Sequence, residues 1–190
     1  MCIRDSTWLD DQTTSAPTDL LAYQELISRV RPDWIVETGT SDPGRTAFVA
    51  AMCELVGPGR VVSVGPEPID ERIDHPRVDH VVGRPQDDDV AAAVTALVGD
   101  GRALVILGSC TDRHKTALEF AAYSPLVPVD SYVVITDTIV NGHPVWTGFG
   151  PGPAEAVKQI LTRYGDFVQD PAPEKYSLSF NPGGYLRRVR

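Results

Sequence analysis

His143, Asp137 and Cys110 are the side chains of this chain best suited to chemistry, and Glu37-Thr38-Gly39-Thr40-Ser41-Asp42-Pro43-Gly44 is the segment best suited to holding a ligand. An imidazole titrates near neutrality, so His143 is a natural general acid or base. Asp137 lies close enough in sequence to orient that ring or share its proton. Trp146 and Phe149, in the same irregular stretch, would wall a pocket and exclude water; loop bracing for His143 and plain packing for the aromatics are the ordinary alternatives. Cys110 directly follows an apolar run. As a nucleophile it needs a thiol acidified by a helix start, which the segment near Asp112 offers; otherwise it is a small neutral filler. In the Glu37–Gly44 turn, glycines allow a ligand close to the backbone and a following helix presents free N–H groups, although the same glycines also suit an ordinary strand-to-helix turn.

These residues need elements to position them. Short apolar runs recur at Trp34-Ile35-Val36, Val61-Val62-Ser63-Val64, Ala103 to Leu107 and Tyr132 to Ile135. Such β-branched runs suit strands covered on both faces, as in a parallel sheet. Helical stripes lie between them. Leu20, Tyr23, Leu26, Ile27 and Val30 follow Thr18-Asp19, a plausible capped start that ends before Pro32. Phe48, Val49, Met52, Leu55 and Val56 form the next stripe, and Asp87 to Asp89 open a third at the positive end of its dipole. A fourth spans about Arg113 to Tyr123, and the last starts at Pro153 and stops at Gly165. Tyr176, Leu178 and Phe180 alternate with polar residues before Asn181-Pro182-Gly183-Gly184 turns into Tyr185 to Val189, which predicts a C-terminal β-hairpin. The assembly expected is an α/β, doubly wound, mostly parallel sheet with an antiparallel edge. Its ligand sites should lie outside the carboxyl ends of the strands.

The chain has 190 residues and a formal net charge of −9, with its one basic cluster at Arg187, Arg188 and Arg190. That balance argues against nucleic acid, whose binding needs clustered cations. No apolar run approaches the roughly 18 residues of a membrane span. Cys2, Cys53 and Cys110 are odd in number and widely spaced, which fits neither a disulfide framework nor a zinc pattern and suggests a reducing, cytoplasmic setting. Residues 1–17 read as a polar lead-in with little fold information, and 18–190 as one domain. His75, His80, His114 and Lys115 carry no assigned role, and Cys53 belongs to a helical stripe.

Several strings carry a resemblance. Asp19-Leu20-Leu21-Ala22-Tyr23-Gln24-Glu25-Leu26, Arg31-Pro32-Asp33-Trp34-Ile35-Val36-Glu37-Thr38-Gly39-Thr40, Asn141-Gly142-His143-Pro144-Val145, Phe149-Gly150-Pro151-Gly152-Pro153 and Phe180-Asn181-Pro182-Gly183-Gly184-Tyr185-Leu186 resemble the cephalosporin hydroxylase family, itself similar to rhamnosyl O-methyltransferases. The resemblance covers nearly all of the chain from Thr18. It implies the class I S-adenosylmethionine (SAM) methyltransferase fold, a Rossmann-like seven-stranded sheet, with SAM held by Glu37, Gly39, Thr40, Ser41 and Gly44.

The chain departs from that family's pattern at other strand ends. Val64-Gly65-Pro66 stands where an acid for the ribose hydroxyls is expected, with Glu67 just beyond, and Arg84-Pro85 stands where small hydroxyl side chains approach the adenine. Gly108-Ser109-Cys110-Thr111 replaces an acidic string and Thr136-Asp137-Thr138 replaces Glu-Asp-Thr, so Asp137 alone survives of the carboxylates that would hold a metal. The expectation is therefore no metal. The leading functional reading is a metal-independent, SAM-dependent O-methyltransferase acting on a small molecule, in a natural-product setting. Its catalytic residues would be Asp137, His143 and Cys110, and its substrate pocket Tyr23, Thr136, Trp146 and Phe149. SAM-independent cyclisation, isomerisation or elimination on the same scaffold, and a non-catalytic binding role, are the rivals. Self-association is compatible with the sequence, and no two-histidine-one-carboxylate spacing supports iron chemistry.

Overall fold

The computed structural model describes residues 6–39, 42–67, 75–108 and 112–190. In chain order the elements are β1 (Ser6–Trp8), β2 (Asp11–Thr13), α1 (Pro17–Val30), β3 (Trp34–Thr38), α2 (Pro43–Val56), β4 (Arg60–Gly65), β5 (Val78–Val82) and α3 (Asp88–Val98). They continue with β6 (Ala103–Leu107), α4 (Arg113–Tyr123), β7 (Tyr132–Ile135), α5 (Pro153–Arg163), β8 (Phe167–Gln169) and β9 (Tyr185–Arg188). The main sheet has seven strands in the order β5-β4-β3-β6-β7-β9-β8, parallel from β5 to β7. Only β9 runs against its neighbours, β7 and β8.

Alternate residues of each buried strand serve opposite layers. Ile35, Val61, Leu104, Ile106 and Val134 pack with Tyr23, Leu26, Ile27, Phe48 and Val49 of α1 and α2. Val36, Val62, Val105, Leu107 and Val133 pack with Val94 of α3, Phe120 of α4 and Ile160 of α5. Each fully buried large side chain contributes about 1.5–3 kcal/mol, which is why β-branched runs were a reliable sign of these strands. The doubly wound sheet expected from the sequence is the observed one.

Two details differ from the sequence reading. The antiparallel edge exists, but its outer strand is β8, and residues 176–180 form a loop. Asp19 explains this: it does not cap α1, which starts at Pro17 without a side-chain cap. Its carboxylate instead accepts from Ser179 Oγ at 2.6 Å, the Phe180 amide at 2.8 Å and the Tyr185 hydroxyl at 3.0 Å. The loop backbone is thus claimed by α1 before any strand can pair with it.

The second difference is the lead-in. β1 and β2 form a hairpin whose connecting residues, Leu9 and Asp10, both have positive φ (49° and 73°), a primed turn made without glycine and so silent in the sequence. Trp8 packs edge-on against Phe48, with ring centroids 4.8 Å apart. The hairpin lies on the start of α2. A Cβ on Gly44 would meet the Asp11 and Gln12 carbonyl oxygens at 2.6 and 2.8 Å, so close packing of β2 needs a glycine there.

Candidate functional site

Strand register builds the site. Thr38, Leu107 and Ile135 are aligned across β3, β6 and β7, so Gly39, Gly108 and Thr136 follow side by side at the carboxyl edge. Gly39 has φ 83°, and its amide donates to the Val64 carbonyl at 2.9 Å, turning the chain over the sheet top. The helix that follows is capped by Asp42, whose carboxylate accepts from the Arg45 amide at 3.1 Å. Its other oxygen accepts from the Thr14 amide and hydroxyl and from Ser15 Oγ at 2.9–3.1 Å, tying the lead-in to this corner.

Arg45 leaves the first turn of α2 and points back into the protein, where it is only 3% exposed. Arg45 Nε donates to Glu37 Oε1 at 2.5 Å, and Thr46 Oγ1 donates to Glu37 Oε2 at 2.6 Å. Asp42 lies 3.8 Å from Arg45 Nη1. Burial alone would raise Asp42, but the guanidinium and the donated hydrogen bonds outweigh it and hold that carboxyl below its ordinary value. Burial raises Glu37, against the pull of Arg45 and Thr46. The guanidinium is more firmly charged than usual: burial opposes the charge, and Glu37 and Asp42 more than restore it. Arg45 Nη2 is buried and has no hydrogen-bond partner among the described residues. It sits where a Cβ on Gly108 would have to go.

Beyond Arg45 lies a cavity of about 10 Å³, room for one water, lined by Ser15, Asp19, Tyr23, Arg45, Thr136 and Asp137 among others. Tyr23 and Thr136, predicted to line the substrate pocket, instead border this one-water space, both buried, and neither lines the larger cavity beside His143. Asp137 has left-handed backbone (φ 55°), and its amide donates to Asn181 Oδ1 at 3.0 Å. The Asn181 amide nitrogen in turn donates to the Tyr23 hydroxyl at 3.0 Å.

His143 is elsewhere. The sequence reading joined it to Asp137, but its Nε2 is 2.8 Å from Glu155 Oε1 in the first turn of α5, and it lines a second cavity. That pocket, about 350 Å³, lies over the β7–β9–β8 edge and includes Thr138, His143, Lys158, Gln169 and Pro182. Glu155 also accepts from the Gly152 amide at 2.8 Å and from Asn141 Nδ2 at 3.3 Å. Burial would raise Glu155, but these hydrogen bonds, that from His143 foremost, hold it down at about 2. Asn141 and Trp146 both have positive φ, so the loop from β7 to α5 is held in backbone conformations that cost energy. Trp146 is 66% exposed and meets Phe149 edge-on at 5.2 Å, but neither of these predicted pocket residues lines the cavity beside His143.

Thr40, Ser41 and Cys110 lie outside the described residues. Glu67 and Arg84 are exposed beside the β4 and β5 ends, while Pro85 is drawn inward, its carbonyl accepting from the Tyr123 hydroxyl at 2.7 Å. Sequence reasoning missed Arg45, Asp19, Glu155 and Asn181. Glu155 had a signal, an acid in the first turn after Pro153 where a glycine cap leaves its amide free. Arg45 had none, since an arginine early in a helix ordinarily points to solvent.

A sequence model of the rhamnosyl O-methyltransferase/CmcI family matches residues 2–189. A rhamnosyl O-methyltransferase of Mycobacterium tuberculosis is 29% identical over 96% of this chain and 78% of its own length, and one of Mycobacterium leprae is 27% identical over 96% and 83%. Among solved structures, CmcI with magnesium and SAM superposes with a TM-score of 0.74 at 18% identity, covering 98% of this chain and 78% of that one. MycE, a methyltransferase of the mycinamycin pathway in complex with magnesium, S-adenosylhomocysteine (SAH) and mycinamycin VI, gives 0.65 at 16% identity over 88% and 48%. These structural likenesses establish the fold. The match over almost its whole length shows that the chain belongs to the rhamnosyl O-methyltransferase/CmcI family.

Proposed function

We propose that this SAM-dependent O-methyltransferase methylates a hydroxyl of a small molecule, using His143 as the base and no resident divalent cation. The observation that carries the proposal is the 2.8 Å pairing of His143 Nε2 with Glu155 Oε1 beside the 350 Å³ pocket at the carboxyl edge. An ionised carboxylate only accepts, so Nε2 carries the proton and Nδ1 is left as the basic nitrogen. Glu155 fixes the tautomer, orients the ring and stabilises the imidazolium formed when the acceptor's O–H proton moves to Nδ1. SAM, when bound, supplies an electrophilic methyl group. Gly39, at the top of β3, is the described residue whose backbone would approach it; the Glu37 carboxylate is taken up by Arg45 and Thr46, Pro43 has no N–H, and the Arg45 amide is capped by Asp42, so these support the turn from behind. Trp146 and Phe149, on the same β7–α5 loop as His143, would have to fold over a bound acceptor to cover it, and Asp137 lines the inner cavity while its neighbour Thr138 lines the outer one.

The solved relatives include magnesium-bound forms, but the residues here do not suit that ion. Directly after β6 and β7 the described residues offer one carboxylate, Asp137, beside glycine at 108 and threonine at 136, and a guanidinium stands against Gly108. Magnesium prefers carboxylate oxygens in near-octahedral array. No helix among the described residues is long and apolar enough to cross a membrane, and the free Cys53 thiol agrees with a reducing, cytoplasmic setting. Family membership favours methyl transfer over the SAM-independent and non-catalytic readings.

Labelled-methyl transfer to a panel of rhamnosides and other hydroxylated small molecules, run in EDTA, tests the proposal. Wild type should turn over at an undiminished rate, and His143→Gln should lose about 10²–10⁴-fold in kcat with SAM affinity retained. EDTA inhibition, or a His143→Gln variant as fast as wild type, would overturn it.

A further inference from the structure

Three independent observations converge on Arg45. Its side chain is almost wholly buried at the carboxyl end of β3, anchored through Nε to Glu37. Its Nη2 is buried without a hydrogen-bond partner among the described residues, although a guanidinium ordinarily uses its donors when removed from water. And Nη2 occupies the space of the missing Cβ of Gly108, with the Thr38 carbonyl oxygen 2.8 Å from that Cβ position. The glycine at the end of β6 is therefore required by the arginine. Arg45 also lines the one-water cavity that it shares with Asp137 and Thr136.

We propose that Arg45 is a resident cation: it fills the point on which β3, β6 and β7 converge, excludes a divalent ion there, and offers Nη2 to a single water or substrate oxygen beside Asp137. The inference rests on the metal-free reading above and gives it a structural cause. A divalent ion at the same point would meet a fixed positive charge in a region sheltered from solvent screening and would find no carboxylate on β6. Arg45 acts as a positioning residue, holding Glu37 on one side and one oxygen on the other. Arginine suits this better than lysine because its fork can serve both at once and it does not lose its proton on burial.

Metal-linked stability tests this without substrate or SAM. The wild-type melting temperature should not differ between MgCl₂ and NaCl at equal ionic strength, and the electron paramagnetic resonance signal of free Mn²⁺ should be undiminished by the protein at millimolar metal. Arg45→Met combined with Gly108→Asp removes the cation and supplies a carboxylate on β6. That variant should melt lower and recover with MgCl₂ but not NaCl, because a ligand bound only by the folded state stabilises it. A wild-type protein that depletes the Mn²⁺ signal, or a folded double variant that ignores magnesium, would overturn the proposal. The Mn²⁺ measurement decides even if the double variant does not fold. Failure of methyl transfer or of SAM binding would sink the functional reading while leaving these results unchanged.

Discussion

The inner corner around Arg45 and the outer pocket around His143 solve opposite problems with the same ingredients. Each pairs a nitrogen-bearing side chain with a carboxylate across the start of a helix, Arg45 of α2 with Glu37 of β3 and Glu155 of α5 with His143 of the preceding loop, and the two meet at adjacent residues, Asp137 lining one and Thr138 the other. Inside, Glu37 is 0% exposed and Arg45 3%, and the cavity admits one water. Outside, the His143 side chain is 35% exposed beside a pocket large enough for part of a small molecule. A buried pair holds its charges fixed; a half-open pair can exchange protons. The contrast is between a sealed corner, where charge is locked, and a half-open pocket, where the proposed proton transfer to His143 has room for an acceptor.

Removing one partner from each pair should expose the contrast most strongly. Arg45→Met strands Glu37 as a buried carboxylate without its counter-ion and should cost about 3–5 kcal/mol in urea unfolding. A loss below about 1 kcal/mol would mean that the inner pair is solvated. Gly108→Ala should come next, at about 1–3 kcal/mol, since the added methyl must displace both the guanidinium and the Thr38 carbonyl.

Effects at the outer pair should be smaller and pH-dependent. Glu155→Gln weakens the hydrogen bonds to the Gly152 amide and His143, at a cost of about 1–2 kcal/mol at pH 7. Because Glu155 is held at about 2 in the folded protein, below its ordinary 4.5, its ionisation adds stability above pH 4.5. That contribution should fade as the pH falls from 4.5 toward 2, and the variant's unfolding curve should converge on wild type over the same window. Trp146→Ala should leave stability within about 0.5 kcal/mol and appear instead in the KM for the acceptor.

The strands, helices and sheet edge were legible because burial on both faces writes continuous β-branched runs and one-sided stripes into the chain. The turn at Gly39 and the irregular segment carrying His143 were legible for the same reason, as punctuation after such runs. What was hidden depended on contacts far apart in sequence. Thr13 to Ser15 looked like a polar lead-in, yet Thr14 and Ser15 complete the shell of Asp42. Asp19 looked like a cap and instead claims the 176–180 loop. His143 was given Asp137 as its partner by nearness in sequence, and the turn at the start of α5 brings Glu155 closer. Gly108 read as a lost ligand; only the fold shows the arginine that needs it.

The most direct test of the account is calorimetric titration of the wild-type chain with SAH, once in EDTA and once in magnesium. Micromolar binding with the same affinity in both buffers is expected if Arg45 holds the place of the ion, as proposed. Binding that appears only with magnesium would contradict the metal-free site, and no binding in either buffer would contradict methyl transfer itself.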